Sequence, residues 1–291
     1  MTGPVLLVLG LGYSGGAVAR AAADAGFRVI GTRRALDGAK TDGVEVLRFA
    51  QAAPAIAAAT HLLVTAPPDE AGDPVLVRFR AEIAAAPALH WIGYLSSLVV
   101  YGNRDGAWVD ETSPLAPSGE RGRRRVAAEA AWRGAAAGRA LDIFRVAGIY
   151  GPGRSAFDNL RAGTARRVVK PGHAFSRIHR DDIAAGVLAA IRQDRPSGPR
   201  VLHLADDEPA ESAAVTKEAA RLLGIPPPPA VAFADALPAM SAMARSFWAE
   251  SRRVRSTATQ AALGRAWLHP TYRDGLRAIL DEERRDSARK L

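Results

Sequence analysis

The 291-residue chain contains no cysteine. That excludes disulfides, thiolate metal sites and a cysteine nucleophile, and it fits a reducing compartment. Lysine is scarce: Lys40, Lys170, Lys217 and Lys290 are all there are, so arginine carries nearly all the positive charge behind the net +9. The basic residues are scattered, and the densest run, Arg121 to Arg125, has no aromatic beside it. Nucleic-acid surfaces interleave basic and aromatic side chains, so nucleic acid is not an expected partner. The charge suits anionic small molecules. No apolar run nears the roughly 20 residues of a membrane span, so no membrane partner is expected. Met1–Leu9 lacks a basic lead-in and a small-residue cleavage site. It reads as a first strand, not a signal peptide, and the expected location is cytoplasmic. A G-x-S-x-G elbow and a G-x-x-x-x-G-K-[ST] loop are both missing. His173, His179, Asp181 and Asp182 do not have a zinc spacing, so no metal is expected.

What is present is an alternation. Val5–Leu9 is a short, fully apolar run of the kind buried in parallel sheets, and Phe27–Gly31, Val44–Phe49, His61–Thr65, Trp91–Leu95 and Leu141–Val146 are further strand-like runs. Between them lie helical stretches at Gly15–Ala25, Ala53–Ala59, Pro74–Ala86 and Val126–Ala137. This pattern predicts an α/β fold, a Rossmann doubly wound parallel sheet with helices on both faces. Beyond it, helices are expected at Asp181–Arg192, Glu211–Leu223, Ala239–Ala262 and Tyr272–Glu283, with a strand at Val201–Leu204.

Gly10-Leu11-Gly12-Tyr13-Ser14-Gly15 fits G-x-G-x-x-G between a strand and a helix, where a dinucleotide loop belongs. Gly10 permits the turn, Gly12 lets backbone approach a pyrophosphate, and Gly15 lets the helix pack close to the sheet. The helix N-terminus then presents N–H groups to phosphate. Sites for NAD place an acid at the end of the second strand, but this chain has Thr32-Arg33-Arg34 there. Guanidinium groups pair with a 2′-phosphate, so NADP is expected over NAD. Ala66 and Pro67, after the His61–Thr65 strand, are placed with the loop as cofactor contacts.

Further segments carry a resemblance. Tyr94-Leu95-Ser96-Ser97-Leu98-Val99-Val100-Tyr101-Gly102, Phe144-Arg145-Val146-Ala147-Gly148-Ile149-Tyr150-Gly151-Pro152-Gly153, Ile178-His179-Arg180-Asp181-Asp182 and Leu202-His203-Leu204-Ala205-Asp206-Asp207-Glu208-Pro209 follow in order. Together they resemble the extended short-chain dehydrogenase/reductase superfamily, which includes NAD(P)-dependent epimerases and dehydratases. The resemblance implies a Rossmann domain over 1–150, with 178–206 returning to it. It also implies a smaller substrate lobe over 151–177 and 207–291, where Arg154, Phe157, Asn159, Arg177, Arg252 and Arg253 are candidates to face a small-molecule substrate. It implies a homodimer through the helix after Ser118, and it places Ser97 at the family's catalytic hydroxyl.

The family's acid/base tyrosine, followed four residues on by lysine, is missing. None of Tyr13, Tyr94, Tyr101, Tyr150 and Tyr272 has a lysine at that spacing. Aligned on Glu129, Arg121 takes the tyrosine position and Arg125 the lysine position. Arginine is not deprotonated in proteins, so Arg121 is no general base, while Arg125 suits a fixed cation for ribose or phosphate. Tyr101, Glu120, His179 and Asp182 are the replacement candidates. The expected function is NADP-dependent hydride transfer on a small polar or nucleotide-linked substrate, as in an epimerase or reductase. The alternative is a non-catalytic NADP-binding sensor or regulator.

Overall fold

The strands that the apolar runs predict assemble into one seven-stranded sheet. In the computed structural model, which describes residues 3–36 and 43–289, these strands are β1 (Val5–Leu9), β2 (Arg28–Arg33), β3 (Val44–Arg48), β4 (His61–Val64), β5 (Trp91–Ser97), β6 (Ala140–Val146) and β7 (Gly198–Leu204). Met1 and Thr2, included in the predicted first strand, lie outside the described residues. The order is β3-β2-β1-β4-β5-β6-β7, and every neighbouring pair is parallel. Parallel strands need crossovers, and these are α1 (Tyr13–Asp24), α2 (Ala53–Ala58), α3 (Pro74–Ala85), α4 (Glu120–Ala135), α5 (Ala156–Arg161) and α6 (Arg180–Ile191).

Both faces of β1 are buried, and its side chains alternate between two cores. Leu6 and Val8 join Val18 of α1, Val187 of α6 and Phe144. Leu7 and Leu9 join Ile56, Phe79 and Trp132 on the α2, α3 and α4 side. Each fully buried side chain of this kind contributes about 1.5–3 kcal/mol, which explains why Val5–Leu9 is apolar throughout. A third, smaller cluster gathers Phe157, Ala219, Tyr272, Leu276 and Ile279 beneath the chain that follows Tyr150.

Two helix predictions need correction. α4 begins at Glu120, six residues before the apolar pattern, because its first turn is held by polar pairing: Glu120 accepts hydrogen bonds from Arg123 and Arg124. The stretch Ala239–Ala262 is not one helix but Ala242–Trp248, a strand Arg253–Val254 and a second helix Thr257–Leu263. Alanine propensity is overridden there by pairing of Arg253–Val254 with Trp108–Val109, and by the buried Ser256 hydroxyl, which donates to the Ala205 carbonyl.

Candidate functional site

The carboxyl ends of β1, β2 and β4 lie side by side, with Leu9 in register with Thr32 and Val64. The Gly10–Gly15 loop therefore leaves β1 between Arg33 on one side and Ala66 on the other. Gly10 has φ +117°, and a Cβ there would sit 2.5 Å from Thr65 Oγ1. A Cβ on Gly15 would lie 2.1 Å from the Gly10 carbonyl oxygen. Both positions admit only glycine, for curvature and for close helix approach. Thr65 Oγ1 donates to the Gly10 carbonyl at 2.6 Å and ties the β4 turn to the loop. Gly12 caps α1, nothing lies within 4 Å of where its Cβ would be, and the first turn holds no acid. A backbone cradle with open space over its second glycine and a helix N-terminus behind it fits a pyrophosphate.

Around this loop stand the other predicted contacts. Thr32 is buried, and its carbonyl accepts from the Leu11 N–H at 2.8 Å. Arg33, half-buried, ends β2, and Arg34 is exposed. Ser14 is buried in the first turn of α1. Tyr13 turns away from the loop: its hydroxyl donates to the Pro152 carbonyl at 2.9 Å, and the guanidinium groups of Arg154 and Arg180 lie over its ring. It thereby fastens the loop to the turn after Tyr150.

Pro67 meets α4 across a cavity of about 320 Å³, which Pro68, Glu120, Arg121, Arg124 and Arg125 also line. Arg125 donates to the Leu95 carbonyl and the Tyr94 hydroxyl, both at 2.9 Å, which pins α4 to the end of β5. Ser97 ends β5, half-buried, with its Oγ accepting from the Val99 N–H at 3.4 Å. A larger cavity of about 600 Å³ is lined by Arg154, Asn159 and Arg177 together with Tyr150, Ser212 and Tyr272. Phe157, another candidate to face the substrate, is instead fully buried in the third cluster, because it lies on the inner face of α5. Arg252 is engaged with the Gly102 carbonyl and Glu250, and Arg253 lies in the strand beside Trp108.

No protein-family model matches the chain. A solved structure of a functionally unknown conserved protein from Silicibacter pomeroyi DSS is 44% identical, with 96% of this chain and 99% of that one covered and a TM-score of 0.88. The chain belongs to the same family as that protein. The Escherichia coli (strain K12) protein YeeZ is 28% identical over 239 residues, 76% of this chain and 84% of that protein. More distant structures share the whole architecture. MoeE5 in complex with UDP-glucose and NAD is 20% identical at a TM-score of 0.75, covering 98% of this chain and 99% of that one. The human epimerase family protein SDR39U1 (isoform2) with NADPH is 19% identical at 0.73, covering 95% and 99%. These likenesses show a shared fold, the doubly wound Rossmann sheet.

The side chains named as replacement acid/base candidates make the following contacts. Tyr101 is fully buried. Its oxygen accepts from Arg145 Nη1 at 2.6 Å and meets His203 Nε2 at 2.5 Å. His203 Nδ1 faces the Arg255 carbonyl at 2.9 Å, which assigns the proton to Nδ1 and leaves Nε2 to accept from the phenol. Burial pushes the Tyr101 hydroxyl up to about 12. The chain of bonds continues through Arg145 to Glu129, whose carboxylate accepts from Arg145 Nη2 at 2.8 Å and from Ser96 Oγ at 2.5 Å. Tyr101 thus ties the segment after β5 to β6 and β7.

His179 and Asp182 are likewise buried at the start of α6. His179 Nδ1 accepts from the Asp181 N–H, and burial drives the imidazole down to about 4. Asp182 accepts from the Leu268 and His269 backbone and from His269 Nδ1 at 2.9 Å. The three side chains come within 4.8 Å of one another, a cluster that spacing did not show because His269 lies far along the chain. With the Asp182 oxygens taken by these donors, it works as a clasp on the 268–269 turn. Glu120 is exposed, and its hydrogen bonds to Arg123 and Arg124 hold its carboxyl below the ordinary range.

Two features had no signal in the sequence. Asp206 is buried after β7, and neither carboxylate oxygen has a hydrogen-bond partner among the described residues. Burial lifts its carboxyl to about 8 against the pull of Arg177. Phe247 is 46% exposed and lies 5.6 Å from the Arg121 guanidinium.

Proposed function

We propose that this protein is an NADP(H)-dependent oxidoreductase or epimerase acting on a small polar or nucleotide-linked substrate. The observation that carries the reading is the Gly10–Gly15 cradle with Arg33 and Arg34 leaving the adjacent strand end. When bound, the cofactor supplies or takes up hydride. The chain's own residues do the rest. Gly12 and the first turn of α1 hold the pyrophosphate, Arg33 and Arg34 take the 2′-phosphate, and Ala66 and Pro67 border the cofactor. Arg125 faces the nicotinamide ribose, where a fixed cation orients without titrating. Ser97 binds a substrate oxygen, at the sheet edge where open α/β folds place ligands. The Arg154, Asn159 and Arg177 cavity gives the substrate lobe a binding place for an anionic group. An NAD-bound and an NADPH-bound structure among the fold relatives support a nicotinamide cofactor, and the arginine pair favours NADP.

A non-catalytic NADP-binding regulator is the second reading. Arginine at the tyrosine position and the burial of Tyr101 favour it. The test is titration with NADPH and NADH. NADPH is expected to bind more tightly, and an Arg33→Ala/Arg34→Ala double variant to lose about 10- to 100-fold for NADPH alone, since a charge-assisted bond is worth about 1.5–3 kcal/mol. Equal loss for both cofactors would refute the 2′-phosphate assignment, and turnover with any substrate would end the second reading.

A further inference from the structure

Tyr13 stands inside the glycine turn as the first residue of α1, yet its side chain serves another part of the molecule. Its hydroxyl donates to the Pro152 carbonyl at 2.9 Å, and the Arg154 guanidinium lies over its ring, 5.7 Å from the centroid. The turn after Tyr150 is shaped to receive it. Gly151 and Arg154 exchange backbone hydrogen bonds at 3.2 and 3.0 Å, and a Cβ on Gly151 would sit 2.6 Å from the Tyr13 oxygen. A side chain at position 151 would therefore displace the phenol.

Arg154 also lines the 600 Å³ cavity, together with Arg166, Arg177 and one acid, Asp158. That volume falls within the range of about 300–1,000 Å³ that small-molecule sites occupy. Asp158 makes no ion pair with these arginines: its carboxylate accepts from the Ser155 N–H at 2.6 Å and from Ser155 Oγ at 2.7 Å, which caps α5. Arg154 and Arg166 have no carboxylate partner among the described residues, and Arg177 directs Nη1 to the Phe175 and Ala210 carbonyls. The cavity wall thus carries an excess of positive charge and unspent guanidinium donors, which attract and bind oxyanions. A ring on the face of a guanidinium fixes its plane and leaves its N–H edges open to such a ligand.

We infer that Tyr13 is a positioning residue for an oxyanion site: its ring holds the Arg154 guanidinium at the cavity wall, where Arg154 and Arg166 bind an oxyanion of the substrate. This rests on the reading that the cavity takes the substrate's anionic group. It makes a side chain of the glycine turn part of the substrate site, so one loop serves both the cofactor cradle and the cavity beyond it.

The test uses inorganic phosphate as the probe, by calorimetry on the full chain with saturating NADPH to fill the Gly10–Gly15 cradle. Arg154 and Arg166 are exposed and Tyr13 is half-buried, so substitutions there spare the core. Arg154→Gln and Arg166→Gln are each expected to weaken phosphate binding about tenfold, one charge-assisted hydrogen bond being worth about that factor, and the Arg166→Gln loss assigns the heat to the cavity. Tyr13→Leu removes the ring and weakens binding about threefold or more, while Tyr13→Phe keeps the ring and restores most of that affinity. In the Arg154→Gln background Tyr13→Leu costs nothing further, because Tyr13 acts through Arg154. Natural affinity in Tyr13→Leu, a Tyr13→Phe variant as weak as Tyr13→Leu, or a Tyr13→Leu loss undiminished in the Arg154→Gln background overturns the positioning role. In those cases the cavity reading stands as long as Arg154→Gln and Arg166→Gln weaken phosphate binding. No phosphate binding, or binding indifferent to both arginine variants, overturns the two together.

Discussion

Replacing Asp206 by asparagine is expected to make the protein more stable, and increasingly so as pH rises. The carboxyl is buried, neither oxygen makes a hydrogen bond of ordinary geometry among the described residues, and burial pushes it up to about 8. In the unfolded chain the same group titrates near about 3.9. A raised folded value means that the folded state holds the proton more tightly. The associated stability is therefore complete below about pH 4 and is lost as pH climbs to about 8. At about 1.4 kcal/mol per unit, the loss between pH 5 and pH 8 is at most about 3–4 kcal/mol, a large share of a domain's stability. Asparagine has the same shape and cannot ionise. Arg177 would lose its nearest negative charge, but it still donates to the Phe175 and Ala210 carbonyls, so the offset is smaller than the gain. Urea unfolding of both proteins at pH 5, 6, 7 and 8 measures this directly. The natural protein should lose stability across that window from this group, and the Asp206→Asn variant should lose less. Parallel pH profiles for the two proteins would refute the reasoning, because they would mean that the carboxylate is ionised and solvated.

Two further perturbations probe the frame around the cleft. Glu129→Gln leaves the Arg145 guanidinium buried without its counter-ion, so unfolding free energy should fall by about 3–5 kcal/mol; a fall under about 1 kcal/mol would show that the network does not brace β5 against β6. Gly15→Ala places a methyl 2.1 Å from the Gly10 carbonyl oxygen, which forces the loop from its cradle. NADPH affinity should drop by at least about tenfold, with far-ultraviolet circular dichroism unchanged, and natural affinity in this variant would disprove the pyrophosphate assignment.

The sequence by itself determined the sheet, its order of strands and helices and the glycine turn after β1, because these depend on local chemistry. Val5–Leu9 and Leu62–Val64 are apolar throughout since both faces of a central parallel strand are covered. Gly10 and Gly15 are legible because only glycine fits a left-handed turn or a helix backed onto a carbonyl. The spacing of Arg121 and Arg125 along one helix was equally visible. What spacing could not carry is the set of long-range partners. Tyr101 has the right chemistry for catalysis, and only the approach of Arg145 and His203 consumes it. His179 and Asp182 look available until His269 and Leu268 arrive from nearly 90 residues away. Asp206 reads as one of a pair of acids in a loop, and its anomaly exists only because the packed core withholds water and donors from it. The broken 239–262 stretch has the same cause, since alanine states a preference for helix while pairing with Trp108–Val109 decides the outcome. Tertiary structure alone brought Phe247 to Arg121, because a contact between residues 126 positions apart leaves no periodicity in the chain.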